Sequence, residues 1–431
     1  MTNWTFDLSV QHIDAMARWG FPSMKRDIVL FTGVQRFCKT LKERGYRIAV
    51  LREKGEQLHG RQEVDYTIDY DPENLDGLME KVGGLPYRNE IVTVINRREK
   101  RVRELAILNT ALGRKGIGLE QAEWLTDKYL MRKRMIQHDP SISPPFQLIE
   151  DPASPPRSLR IGFPLMIKPR NLFKSQLVVR CDGLSDLGGS LRMVASRMDE
   201  AANRHGVILK KGLLLEEFLQ GRELSIDSFV SPAGRVYHSP VVELMAAPDV
   251  GIEDYHVFAR ILPAQFDPFQ VASIERVAEE GIRALQMVSS AAHIDMVYTP
   301  TGPKILEVGA RVGGYRSEMM RLSFGIDLDE VGFSTSSGKG GNLVPKFERS
   351  TAVLEFFPLR EGILNGIKGL EKVSKLESFH RLRQRMRLGE RIGLARQGYR
   401  CPLFVILNHE EGSVVQRDME EARRILTIEL K

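Results

Sequence analysis

Apolar residues near the start of the chain fall into short runs of strand length. Ile28–Phe31 ends at Thr32-Gly33 and leads into a helical pattern through Leu41, Ile48–Leu51 follows Gly45, and Ile91–Ile95 precedes a helical stretch from Lys100 to Leu112. Strands alternating with helices in this rhythm predict a small parallel-sheet α/β unit running to about residue 120. Gly33 stands alone after its strand, and Cys38 occupies the place where a P-loop needs glycine before Lys39-Thr40. Neither a dinucleotide fingerprint nor a Walker A site is therefore expected in this unit.

Prolines then recur (Pro140, Pro144, Pro145, Pro152, Pro155, Pro156, Pro164), which predicts an extended connector rather than a helix. Beyond it come β-like runs at Leu165–Ile167, Leu177–Val179, Leu213–Glu216 and Leu224–Val230, with a helical pattern between Asp186 and His205. A Gly/Ser-rich break at Ser334–Gly341 precedes what reads as a separate α/β tail, with strands near Ala352–Phe356 and Pro402–Leu407. The expected class is α/β, becoming α+β in the central part.

The stretch from His293 to Arg311 is the most informative. Two alternating runs flank Thr299-Pro-Thr-Gly-Pro303, which is turn chemistry, so a β-hairpin is predicted. Pairing Tyr298 with Lys304 sets Asp295 opposite Glu307 on one face, with Cβ atoms about 5 Å apart. Two facing carboxylates need a cation between them, or one must hold its proton. Magnesium with nucleotide phosphates suits the pair, because this hard cation takes one or two protein carboxylates together with phosphate oxygens. Period-two alternation puts Gly309 and Arg311 on the same face, where the Arg311 fork could grip a phosphoryl oxygen.

Two lysines lie upstream. Lys168 closes the strand Gly162–Pro169 beside the polar loop Asn171–Gln176, and Lys128 follows Asp127 at the start of an amphipathic helix. Singly, each reads as a solvated charge. Leu213–Glu216 leads through Glu217, Phe218 and a turn at Gly221 into a second acidic strand at Glu223, a pattern that could seat a base by backbone bonds and a ribose by a carboxylate.

In combination these residues resemble the ATP-grasp superfamily: Asp127-Lys128, the strand with Lys168, the Glu216-Glu217-Phe218 hinge with Gly221-Arg222-Glu223, Asp295, and Glu307-Val-Gly-Ala-Arg311 followed by Gly313-Gly314. The resemblance covers roughly residues 120 to 340. Within the superfamily, the Glu307–Gly314 run and Phe356–Gly362 look like the carboxylate-amine ligases that include bacterial L-amino-acid ligases. The resemblance implies a pre-ATP-grasp domain at 1–120, a lid subdomain at 121–210, a catalytic domain with a large antiparallel sheet at 211–340 and a C-terminal subdomain at 341–431. It also implies ATP and magnesium, with manganese as an alternative cation. Lys128 and Lys168 would hold the α- and β-phosphates, Glu216, Glu217 and Phe218 would form the adenine hinge, and Glu223 would take the ribose. Asp295 and Glu307 would bind the metal, and Arg311 would steady the transferring phosphoryl group. Relatives of this kind often form dimers, so a homodimer is expected.

Two departures stand out. Many relatives have asparagine where Gly309 stands, and many have a glycine-rich loop over the phosphates where Leu172–Leu177 has no glycine. Ser175 can still offer a hydroxyl there and Lys174 a charge. For the acid and amine substrates, His256, Arg260 and Arg316 are the candidates: an arginine could pair with a carboxylate and the histidine could take the amine's proton.

Composition narrows the partners. Hydrophobic residues are 42% and charged residues 27% of 431, as in soluble globular proteins, and no run of about 18 apolar residues occurs. The first twenty residues carry Asp7 and Asp14, with no basic start and no continuous apolar run. The net charge of +6 could suit an anionic partner. Its densest basic stretches, Arg97–Arg103, Lys128–Arg134 and Arg381–Arg396, nevertheless have the spacing of solvated amphipathic helices and lack interleaved aromatics. Small-molecule substrates, no nucleic acid and no membrane are expected. Cys38, Cys181 and Cys401 lie too far apart in sequence for a CxxC motif, which fits a reducing, cytoplasmic setting. The alternatives are a biotin-carboxylase-like enzyme, or a nucleotide-binding regulatory protein that keeps the fold without turnover.

Overall fold

A computed structural model of the chain describes residues 27–33, 36–57, 61–153 and 158–431. Asp7, Asp14, Pro155 and Pro156 lie outside them. The described residues up to Arg97, with Ile107–Arg114, make one compact unit, and Arg98–Ala106 with Lys115–Lys431 make the other.

In the first unit β1 (Ile28–Phe31), β2 (Arg47–Glu53), β3 (Tyr66–Tyr70) and β4 (Ile91–Ile95) form a parallel sheet in the order β3-β2-β1-β4. All four residues of β1 are buried, as expected of a central parallel strand. β3 has no apolar run to announce it, because Thr67 and Asp69 face solvent and only Ile68 and Tyr70 are buried.

The second unit opens with β5 (Phe146–Ile149), β6 (Leu165–Pro169), β7 (Val179–Cys181) and β8 (Leu213–Glu217), an antiparallel sheet in the order β5-β8-β6-β7. The proline-rich connector is extended in part, and supplies β5. Leu165, Ile167 and Leu215 pack with Leu187, Leu191 and Val194 of the amphipathic helix Leu184–His205.

β9 (Arg222–Val230), β10 (Val236–His238), β11 (Val242–Ala246), β12 (Val257–Leu262), β13 (Ser290–Thr299), β14 (Gly302–Gly309) and β15 (Ser350–Phe356) belong to the large sheet. Of the later strands β16 (Gly362–Lys368), β17 (Phe379–Gln384), β18 (Arg391–Ile392), β19 (Leu403–His409) and β20 (Thr427–Leu430), it also takes β17 and β19. The order is β14-β13-β9-β11-β12-β15-β19-β17, with β10 beside β9, and every pairing is antiparallel. β16, β18 and β20 form a sheet of their own.

Two sequence expectations need correction here. The strands read as a separate tail continue the large sheet, β15 pairing with β12 and β19 with β15. They do so because β19 is apolar on both faces: Leu403, Val405 and Leu407 pack with Val415 and Met419 of the helix Gly412–Ile425, while Phe404 and Ile406 pack with Met319, Met320 and Phe324. Arg381–Arg396 is not a helix either, since its first residues lie on β17, held by β19. Long-range strand pairing there overrides local helical spacing.

Candidate active site

The hairpin of β13 and β14 carries an irregularity that sets its register. Near the turn Tyr298 pairs with Pro303 and Val297 with Lys304, one residue away from the expected register. A bulge between Asp295 and Met296 then absorbs Leu306, and beyond it Asp295 faces Glu307 and His293 faces Gly309. The buried Arg132 guanidinium donates to the Leu306 carbonyl, so the acceptor displaced by the bulge is satisfied.

The two upstream lysines are held in place by neighbouring acids. Asp127 caps the helix Lys128–His138, accepting from the Tyr129 N–H at 3.0 Å and pairing with Arg170. Lys128 is thereby fixed at the first helical residue, where its ammonium donates to the Leu172 carbonyl at 2.6 Å and meets Glu307 at 2.8 Å. Lys168 on β6 donates to Glu216 at 2.6 Å, and Arg132 Nε lies 2.8 Å from the other oxygen of the same carboxylate. Burial opposes the charge on Glu216, but Arg132 and Lys168 outweigh it and hold the carboxyl down at about 2. The basic stretch at 128–134 is thus not a solvated face, because Arg132 is 0% exposed.

Glu216 also departs from its expected place in the adenine hinge. Its side chain points into the interior beneath Lys168, and the next residues, Glu217 and Phe218, line the cavity instead. That cavity, about 130 Å³, is walled by Lys128, Lys168, Ser175, Glu223, Asp295 and Glu307 as well, with Met166, Val178 and Leu219 supplying apolar surface. Arg180 stacks over the Phe218 ring, 4.4 Å from its centroid, and Tyr255 meets it edge-on. Burial, then the nearby Asp249 and Asp295, push Glu223 up to about 7. The glycine-free loop takes left-handed backbone positions that glycine ordinarily fills, with φ of 57° at Lys174, 57° at Ser175 and 55° at Leu177.

A second cavity of about 270 Å³ shares Phe173, Ser175, Leu244, Val257, Asp295 and Glu307 with the first. Gly309, Arg311, His256, Arg260 and Arg316 all line it. Arg311 pairs with Glu99 at 2.5 Å, and a Cβ at position 309 would lie 3.0 Å from that same Glu99 carboxylate. Glu99 thus occupies the space that a side chain at 309 would need. His256, 3% exposed, keeps Nδ1 3.2 Å from Asp254, whose carboxylate accepts the N–H groups of Ala395 and Arg396, while its buried Nε2 has no hydrogen-bond partner among the described residues. Arg260 pairs with Glu355 at 3.1 Å. Arg316 is embedded rather than presented: it donates to Ser225 Oγ at 2.6 Å and lies 3.8 Å from Asp227. Burial and the nearby Arg260 push it down to about 10, still charged at neutral pH.

Sequence reasoning missed the centre of this arrangement. His293 sits between Asp227 (3.2 Å) and Asp295 (3.3 Å), and Asp227 also accepts the Gly313 N–H at 2.7 Å. Burial alone would lower the imidazole, but Asp295 and Asp227 raise it to about 8. Burial would likewise raise Asp295, yet His293, Arg316 and Arg311 hold it at about 2. A Cβ at Gly313 would lie 2.5 Å from the His293 ring, so that close approach excludes any larger residue. Glu223, Ser225 and Asp227 alternate onto one face of β9, a signal present in the sequence; their pairing with Val297, Asp295 and His293 was not.

Asp295 and Glu307 offer hard carboxylate oxygens from facing strands, a donor set that fits magnesium completed by phosphate oxygens. Among the described residues no cluster of three or more His, Cys, Asp or Glu is arranged to hold a metal without such help. No helix among them is long and apolar enough to cross a membrane.

Comparison with known proteins agrees with this architecture: residues 161–318 match the family model described as ATP-grasp domain, and the chain has the ATP-grasp fold. The solved L-amino acid ligase from Bacillus licheniformis superposes with a TM-score of 0.77 at 20% identity, covering 95% of this chain and all (100%) of that one. Phosphoribosylglycinamide synthetase from Anaerococcus prevotii gives 0.62 at 16% identity, covering 94% and 100%. N5-carboxyaminoimidazole ribonucleotide synthetase from Thermotoga maritima gives 0.64 at 17%, covering 94% and 99%. A curated relative, phosphoribosylamine–glycine ligase from Rhodopirellula baltica, is 24% identical over 242 residues, or 52% of this chain, and the chain spans about half (53%) the length of that relative.

Proposed function

We propose that the protein is an ATP-dependent carboxylate–amine ligase that forms an amide or peptide bond through an acyl phosphate and releases ADP and phosphate. Its substrates would be small molecules, one of them an amino acid or similar acid. The observation that carries this reading is the shared wall: Asp295 and Glu307 line both cavities, so a nucleotide in the smaller and an acid in the larger would meet at one pair of carboxylates. The names of the curated relative and of the Bacillus structure, both ligases, support the class.

A carboxylate is a poor acyl donor because its leaving group would be oxide. Moving the γ-phosphoryl of ATP onto it supplies a good leaving group, and this transfer needs positioning and charge neutralisation more than a protein nucleophile. Lys128 and Lys168 bind the polyphosphate, the Glu217-Phe218 segment seats the base, Glu223 meets the ribose, and Arg311 grips the transferring group. Magnesium held by Asp295 and Glu307 would neutralise phosphate oxygens there. The amine then attacks the acyl carbon, phosphate departs, and His256 Nε2 takes the amine's proton while Asp254 holds the opposite side of the ring.

The test is incubation with magnesium-ATP and pools of amino acids and small acids, read by mass spectrometry. ADP, phosphate and a condensation product are expected, and heavy oxygen placed in the substrate carboxylate should appear once in the released phosphate. Formation of AMP and pyrophosphate would overturn the acyl-phosphate mechanism.

A further inference from the structure

Glu307, Gly309 and Arg311 stand at alternate positions at the end of β14 and just beyond it, and all three line the larger cavity. The middle one has no side chain. Its space is filled from elsewhere in the chain: Glu99, in the short turn Glu99–Arg101, lines the same cavity and puts its carboxylate oxygens 3.0 Å and 3.3 Å from an ideal Cβ at 309. The backbone at 309 is strand without a positive φ, so what asks for glycine there is the nearby carboxylate and not a torsion angle.

The carboxylate meets Arg311 Nε at 2.5 Å, and Arg311 Nη1 donates to the Val312 carbonyl at 3.0 Å. A planar guanidinium anchored at two corners has its plane and direction fixed, and its remaining N–H groups are left for a ligand in the cavity. The Glu99 and Arg311 side chains are only 23% and 18% exposed, so water and salt screen this pair less than an ion pair on the open surface.

We propose that Glu99 is a positioning residue for Arg311: it holds the fork so that the remaining N–H groups meet the transferring phosphoryl group, and the missing side chain at 309 admits it. The phosphoryl group as the ligand of Arg311 rests on the ligase reading. The hold itself rests on the contacts. Geometry and charge pull in opposite directions here. A carboxylate beside the guanidinium aligns it but also cancels part of its attraction for phosphate. Alignment outweighs that loss, because a loose fork must be ordered when the ligand binds and offers its donors in the wrong place until then.

The experiment is titration calorimetry on the full chain with magnesium, comparing ADP with a non-hydrolysable ATP analogue to isolate the grip on the third phosphate. Wild type should prefer the analogue, and Arg311→Ala should abolish the preference. Glu99→Ala should weaken analogue binding about tenfold and leave ADP within about twofold of wild type. Glu99→Gln, whose amide oxygen can still accept from Nε, should keep most of the preference. Gly309→Val should displace the carboxylate and match Glu99→Ala, yet cost nothing further in a chain already carrying Glu99→Ala, where the space is empty. A stronger preference in both Glu99 variants would show that the carboxylate opposes Arg311, and an unchanged preference in Glu99→Ala would reduce the pair to packing; either overturns the proposal. A preference that survives Arg311→Ala would overturn it together with the phosphoryl role of Arg311. Absence of ADP release with every acid and amine pair, alongside a preference that depends on Glu99, would instead sink the ligase reading and leave the positioning role standing.

Discussion

The two cavities of the second unit handle charge in opposite ways. In the smaller, each lysine is tied to a carboxylate, Lys168 to the buried Glu216 and Lys128 to Glu307. In the larger, Arg260 and Arg385 share one acid, Glu355. A charge pinned by a built-in partner is expensive to bury but needs no rearrangement when a phosphate arrives. That suits a ligand that is the same in every turnover. A surplus of cations suits a ligand that brings its own negative charge. On the proposed reading, in which the smaller cavity takes the nucleotide, that side is organised beforehand, whereas the larger leaves charge for its ligand to answer.

The largest effect is expected at the seam between the cavities. Glu307→Gln keeps the side chain's shape but removes charge from the facing pair, so ADP production should fall by at least about a hundredfold. The variant gives up the Lys128 pairing and should lose a little stability without nucleotide, and magnesium-ATP should raise its melting temperature much less than that of wild type. Normal turnover with full stabilisation by magnesium-ATP would show that the seam is not the metal site.

On the substrate side, His256→Ala should slow amide formation by about a hundredfold, while hydroxylamine, which needs no protein base, still traps the acyl phosphate as a hydroxamate. Equal losses in both assays would place His256 in binding or packing instead.

The preorganised side breaks more quietly. Glu216→Gln leaves Arg132 and Lys168 buried without their counter-charge and should cost about 3 kcal/mol in chemical denaturation, with weakened ATP binding. pH sharpens the point. The Glu216 carboxyl is depressed to about 2 from its ordinary 4.5, so its stabilisation is complete above about 4.5 and is lost as pH falls toward 2. The stability gap between wild type and Glu216→Gln should therefore narrow as pH drops through that window. A gap that stays constant would mean that the triad carries no net electrostatic stabilisation.

Several of these residues were legible before any fold was known. The turn at Thr299–Pro303 and the alternation around it mark one hairpin carrying both acids, and apolar spacing marks the helix Leu184–His205 to within two residues of its observed start. Other features were hidden for definite reasons. Arg132 sits in a run of basic residues and looks solvated; only its contacts with Glu216 on β8 and the Leu306 carbonyl on β14 show that it supports Lys168 and the bulge. His293 lies inside the most informative stretch, yet its meaning comes from Asp227, 66 residues earlier, across a strand pairing that no local pattern encodes. Glu99 precedes a helix far from the hairpin in sequence and reaches Arg311 only in three dimensions.

The sequence by itself determined the local matters: which segments alternate with period two or near 3.6, where turns interrupt them, and that Asp295 and Glu307 lie on the two arms of one hairpin, which the bulge at Leu306 then sets face to face. These follow from backbone geometry within a few residues. Tertiary structure alone decided which acid answers which base. Strand order in the large sheet sets Asp227 beside His293 and brings β15, with β19 beyond it, against β12, so that Glu355 meets Arg260. Charge interactions depend on separation in space and on burial. A linear chain specifies those quantities only after the apolar faces of its strands have chosen their neighbours.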